Sequence, residues 1–141
     1  MVETRLIYPM LAMVLLTAVV LVLLFRSRVR MVREGHAPVS YFGVFRGSLE
    51  PDYVIKPTRH FANLFEAPTL FYAGCLAAMV AEVTGTLIVA LAWTYVAARV
   101  VHAMVHLGGN RIRHRVRVYG VSWLILLAIW IDVAIKVSGR G

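Results

Sequence analysis

The chain is 141 residues long and 60 % hydrophobic, with a mean hydropathy of +0.76 and a formal net charge of +8. That length and apolar content describe a single domain of the membrane class, with no room for a separate soluble domain. The basic residues flank apolar runs, a pattern of membrane topology and headgroup attraction rather than of nucleic-acid binding, and the lone cysteine, Cys75, excludes an intrachain disulfide.

Residues 6–25 carry no charge for about twenty positions, enough to cross the hydrocarbon as a helix. The run is too long for a signal peptide and its charges follow it, so it is expected to be the first transmembrane helix. Residues 26–56 form the long polar stretch, with Arg26, Arg28, Arg30, Arg33, Arg46 and Lys56. Gly35, Pro38, Gly43, Gly47 and Pro51 are expected to break any long helix through it. Tyr41, Phe42 and Phe45 are expected at headgroup level. The second span is expected at about 60–80, the third at about 87–107 and the fourth at about 118–137. The fold class is therefore an all-α membrane protein, a four-helix bundle. Asp132 and Lys136, four residues apart on the last span, are placed for a local ion pair. Cys75 sits in an apolar run and reads as a small core residue.

The loops at 26–56 and 108–117 hold ten of the fifteen Lys and Arg residues. Arg5, Lys136 and Arg140 are the basic residues near the other face. The basic side is expected to be cytoplasmic, with both termini opposite.

The polar residues within the spans are not scattered. Arg59, Asn63 and Glu66 are spaced by four and three, one face of a helix. If that helix starts near Pro57, Glu66 lies roughly 13 Å into it. Tyr95, Arg99, His102 and His106 form a second stripe, and Arg115, Tyr119 and Ser122 a third. All three fall in the cytoplasmic half, where buried charge is costly unless it meets protein, water or ligand. Two readings follow. The stripes form a polar seam that glues helices together, for instance with Glu66 on Arg99. Or they line a shared cavity in which Arg30, Arg59, Arg99 and Arg115 grip carboxylates and Glu66 meets an amine. Metal and haem are not expected. His102 and His106 are one turn apart, but His36 and His114 are expected in loops and His60 at a helix start, so only His60 with His102 could form a haem pair.

Arg59-x3-Asn63-x2-Glu66-x-Pro68, Arg99-x2-His102-x4-Leu107-Gly108 and Arg115-x3-Tyr119 together resemble the MAPEG family, the membrane-associated proteins in eicosanoid and glutathione metabolism. The resemblance covers nearly the whole chain. It implies a bundle that assembles as a homotrimer, with glutathione held between subunits near the cytoplasmic face. By position, Asn63 and Glu66 would hold glutathione's backbone. Arg30 (or Arg28) from a neighbouring subunit would meet a carboxylate, with Arg59 and His106 lining the same site. His102 and Tyr119 would add hydrogen bonds, and Arg99 would support them. Arg115 would be the catalytic residue that stabilises the thiolate, since a nearby guanidinium lowers a thiol pKa. The chain departs from glutathione-using members at Ala62, where a second arginine is common, at His106, which replaces a tyrosine, and at Val116, which replaces a serine of the prostaglandin synthase branch.

The resemblance thus implies a glutathione-dependent transferase or peroxidase acting on lipophilic electrophiles or lipid hydroperoxides. Glutathione would be its co-substrate, and membrane lipids and a lipophilic small molecule its other partners. The competing expectation is a non-catalytic lipid-binding or scaffold protein of the same fold, favoured by the groups lost at Ala62 and Val116.

Overall fold

A computed structural model describes residues 3–47 and 49–139. After a short 3-10 turn at Thr4–Leu6 come α1 (Ile7–Arg33), α2 (Tyr41–Val44), α3 (Asp52–Asn63), α4 (Ala67–Val80), α5 (Thr86–Leu107) and α6 (Ile112–Ser138). Four helical stretches are long and apolar enough to cross a membrane: Thr4–Arg33, Asp52–Val80, Thr86–Leu107 and Ile112–Ser138. Most of their outward residues are large and apolar, including Leu11, Leu15, Val22, Leu124 and Ile131. Such a surface belongs in hydrocarbon.

α1 outlasts its apolar run. Its 27 residues span about 40 Å, beyond the ~30 Å hydrocarbon. Arg26, Arg28, Arg30 and Arg33 therefore ride on helix, not on a loop, because no Gly or Pro stands between Pro9 in the first turn and Gly35. There the chain leaves through a left-handed glycine (φ 74°), with Gly35 N–H donating to Val32 O and His36 N–H to Met31 O at 3.0 and 3.1 Å. This is a Schellman stop. Beyond it, Met31, Ala37, Tyr41 and Val54 make a small separate core. Tyr41 turns into that core, with its ring edge-on to Phe42 and Phe45, while Arg28 lies over both phenylalanine rings.

The second crossing is not one helix. α3 begins at Asp52, earlier than the expected start near Pro57, and stops at Asn63. Pro68, the second residue of α4, has no N–H and its ring would meet the carbonyl of Leu64 in a continuous helix. The chain instead makes tight turns, Phe65 N–H to Ala62 O and Glu66 N–H to Asn63 O, and Glu66 takes a non-helical conformation (φ −94°, ψ −98°). Glu66 therefore lies in the break and not on the helical face that carries Arg59 and Asn63.

The helices pack as a bundle in which α5 lies along α6, α1 along α3, and α4 against α6. The main core is Leu6, Met13, Val20, Phe71, Cys75, Ile88, Ala92, Leu126 and Ile129, with Phe71 stacked on Tyr95 at 4.5 Å between centroids. Cys75 is buried there as expected. Gly74 lets α4 approach α6: a Cβ on it would stand 3.2 Å from Trp130 Nε1. That indole N–H donates to Leu70 O at 3.2 Å.

The end away from the arginine clusters is latched by side chains. The Glu3 carboxylate accepts from Arg5 at 2.6 and 2.7 Å and from Gly85 N–H at 3.2 Å, tying the first turn to the α4–α5 connection. Lys136 pairs with Asp132 at 2.8 Å and donates to Thr84 O. Arg140, counted with this end in the sequence, lies outside the described residues.

These bonds, Arg5's first, hold the Glu3 carboxyl at about 2 against an ordinary 4.5. A carboxylate depressed on folding stabilises the fold fully above pH 4.5, and the contribution fades as pH falls towards 2. Glu3→Gln should therefore lower the thermal midpoint at neutral pH and match the parent near pH 2. Equal midpoints at neutral pH would show that the latch contributes nothing.

Candidate functional site

One groove of about 470 Å³ opens where the end of α3, the 64–66 break, the last turns of α5 and the first turns of α6 meet. Its lining is Arg59, Ala62, Asn63, Glu66, His102, His106, Arg115, Val116 and Tyr119. Three sequence stripes supply it because α3 and α6 both lie against α5 or its neighbours at this end. The floor and rim differ in kind. His102 and His106 are buried, whereas Arg59 and Glu66 are exposed.

Arg99 lies behind the floor and is fully buried. Its Nη2 donates to Asn63 Oδ1 at 2.5 Å, and Asn63 Nδ2 donates to Glu66 Oε2 at 2.9 Å. The amide thus stands between cation and anion, and only this orientation of it serves both neighbours. The direct Glu66–Arg99 pairing considered from sequence gives way to this relay, because the helix break sets Glu66 aside. The guanidinium also lies 5.7 Å from the Tyr119 ring centroid. Its Nε and Nη1 find no hydrogen-bond partner within the described residues.

Arg115 is oriented by Asn110, whose side-chain oxygen accepts from Nη1 at 3.2 Å. Asn110 itself sits in the left-handed region (φ 46°), which asparagine tolerates better than most residues. Gly108 is needed just before it: a Cβ there would come within 2.8 Å of Met104 O. Tyr119 faces His102 at 5.6 Å between ring centroids, and Ser122 donates to Tyr119 O at 2.7 Å instead of entering the groove.

The sequence expectation of a shared lining thus gathers Arg59, Asn63, Glu66, His102, His106, Arg115 and Tyr119 in one place, with Arg99 directly behind. Tyr95 does not join them. It is buried in the apolar core against Phe71. Arg30 is elsewhere within the chain. Its Nε pairs with Glu34 at 2.7 Å, its guanidinium lies over the Tyr53 ring, and it lines a second cavity with Arg26, Ser27 and Arg33. The Tyr53 hydroxyl, donating to Glu34 at 2.6 Å, and Arg30 together hold the Glu34 carboxyl below the usual carboxylate range.

Two histidines are not where the sequence reading puts them. His114 lies on α6, not in a loop. His60 is near the end of α3, fully buried, with its ring 5.0 Å from His106 and 5.4 Å from His102. Its position three residues before Asn63 is the signal that could have placed it towards α5. Among the described residues, no three His, Cys, Asp or Glu side chains are grouped to hold a metal ion.

Chemically, the groove offers two arginines on its wall and rim, one carboxylate, two imidazoles, an amide and a phenol. Such a set suits an anionic ligand that also carries an amine and peptide groups. Ala62 and Val116 add an apolar strip. A family model, that of the MAPEG family, matches residues 6–135 of the chain. No curated protein and no solved structure matches it.

Proposed function

The chain belongs to the MAPEG family, and from that premise we propose that its groove binds glutathione and activates the thiol against a lipophilic partner. The family includes glutathione transferases and peroxidases, and its fold is a membrane four-helix bundle. The observation that carries the reading is the convergence on one groove of Arg59, Asn63, Glu66, His102, His106, Arg115 and Tyr119. Arg59 takes a glutathione carboxylate, Glu66 its amine, and Asn63 a peptide group. Arg115 faces the sulfur and holds it as thiolate, the form that attacks. The second substrate, an electrophile or a lipid hydroperoxide, reaches the sulfur from the bilayer along Ala62 and Val116.

The exposed rim supports a homotrimeric assembly. Arg59 and Glu66 lie open on membrane-spanning segments, where an uncovered charge in lipid is costly. A neighbouring copy covers that rim and brings Arg30 to it, as the family resemblance implies. The basic ends face the cytoplasm and both termini the other side. Because Cys75 is buried, cysteines introduced on either face can be labelled selectively to check the orientation.

Calorimetry on the detergent-purified protein tests the reading. Glutathione binds in the micromolar to low-millimolar range, and Glu66→Ala abolishes the heat. A parent protein that binds no glutathione would remove the assignment. The apolar strip at Ala62 and Val116 favours the second reading, a non-catalytic lipid-binding or scaffold protein. A specific lipid that co-purifies in the groove and is not displaced by glutathione would establish it instead.

A further inference from the structure

Three imidazoles pack together at the inner wall of the groove, and only two of them line it. His102 and His106 do so from α5. His60 stands behind them on α3, with no surface exposed. Ring centroids are 5.0 Å apart for His60 and His106, 5.4 Å for His60 and His102, and 5.7 Å for His102 and His106. Among the described residues, both ring nitrogens of His60, and Nδ1 of His102 and of His106, are buried without a hydrogen-bond partner. Two imidazoles joined by an N–H···N bond of about 2.9 Å have centroids roughly 5 Å apart. His60 and His106 already stand at that spacing.

The groove also needs a proton carrier. Arg115 can stabilise an anion but neither takes nor gives a proton at working pH. Of the side chains lining the groove, imidazole is the type whose ordinary pKa lies nearest neutrality. The charged and titratable neighbours of the cluster are Arg59 on α3, Arg99 on α5, and Arg115 and Tyr119 on α6, with Glu66 the carboxylate of the lining. His106 lines the groove together with Arg115 and is the imidazole that stands nearer His60, at 5.0 Å against 5.4 Å for His102.

We propose that His106 is the acid–base residue of this groove and that His60 is the positioning residue that sets its tautomer, a pair suited to reducing lipid hydroperoxides. The proposal rests on the glutathione reading above. His106 takes the thiol proton, leaving the thiolate beside Arg115. The sulfur attacks the terminal peroxide oxygen, the S–O bond forms, and the O–O bond breaks with its electron pair on the lipid oxygen. The imidazolium returns its proton to that alkoxide. Sulfur is oxidised by two electrons to a sulfenic acid, and the hydroperoxide is reduced by two to an alcohol. A second glutathione thiol then displaces water from the sulfenic acid, giving the disulfide. His60, hydrogen-bonded to the far nitrogen of His106, decides which nitrogen faces the groove.

The test uses the full chain in lipid nanodiscs, with glutathione and a fatty-acid hydroperoxide. His106→Gln should lower kcat by about 10²-fold or more and flatten the pH–rate profile, with kcat falling further than glutathione affinity. His60→Phe, which fills the site but offers no nitrogen, should shift the profile and lower kcat, and His60→Asn or His60→Gln should restore part of it. Nitrogen-15 NMR of labelled histidines should show a coupling between a His60 nitrogen and a His106 nitrogen. An unchanged kcat and profile in His106→Gln overturns the proposal, as does zinc bound stoichiometrically to the purified protein. Glutathione binding is read separately by calorimetry. If the parent binds none, the glutathione reading has failed, and the NMR coupling alone decides the histidine pair: its absence overturns that as well.

Discussion

Arg115→Ala lowers glutathione-dependent turnover by about 10²- to 10³-fold, the scale seen when one group that stabilises a developing anion is removed. The loss acts through the ionisation of the thiol. An adjacent opposite charge moves a pKa by about 1–3 units, so its loss costs at least a factor of ten in thiolate at neutral pH. Further loss follows because the sulfur is no longer held in line with its target. The fold should survive the change. Arg115 is only partly buried, and among the described residues its side chain is held by the 3.2 Å bond to Asn110. Arg115→Lys keeps the charge but not the planar fork, and should fall between parent and alanine variant. The checks are steady-state turnover and the ultraviolet absorbance of the thiolate on mixing with glutathione. Turnover equal to the parent's would separate Arg115 from the chemistry.

Asn63→Leu destabilises the bundle by about 1.5–3 kcal/mol, the scale of a hydrogen bond lost from a buried charged group. Arg99 is fully enclosed, and its bond to Asn63 Oδ1 is the hydrogen bond that the structure gives its guanidinium. Removing the amide strands the cation and also cuts its connection to Glu66. Arg99→Met should cost less, because it replaces the charge by apolar volume and leaves only a partly exposed amide to rehydrate. The double variant should then lie above Asn63→Leu alone. Thermal unfolding of the four proteins in one detergent measures the coupling. If Asn63→Leu melts with the parent, the buried guanidinium is satisfied by some other group.

The four crossings were legible because each is an apolar run of near-bilayer length, a signal that depends on composition and not on packing. The gathering of Asn63, His102, His106, Arg115 and Tyr119 was legible for a related reason: polar residues at helical spacing within apolar runs must face inwards, and helices cut at the same depth bring them together. What failed was the extrapolation of one regular helix through Glu66. The residues up to Glu66 do carry the spacing of a face, but Pro68, two positions beyond, denies that helix its continuity. The same local rule, applied to α1, would have carried Arg26–Arg33 onto helix, since the next breaker after Pro9 stands only at Gly35.

His60 marks the boundary between the two kinds of knowledge. Its spacing to Asn63 points it towards α5, but nothing along the chain says that His102 and His106 will both close over it. The sequence by itself determined the membrane class, the four spans, the family and most of the polar side chains that enter the groove, because these follow from hydropathy, spacing and motif. Only the tertiary structure decided that Asn63 mediates between Arg99 and Glu66, that Arg30 is engaged at a separate cavity, and that three imidazoles meet at the inner wall of the groove. Those outcomes depend on where a proline breaks a helix and how α3 then rests on α5, and that is a property of packed surfaces.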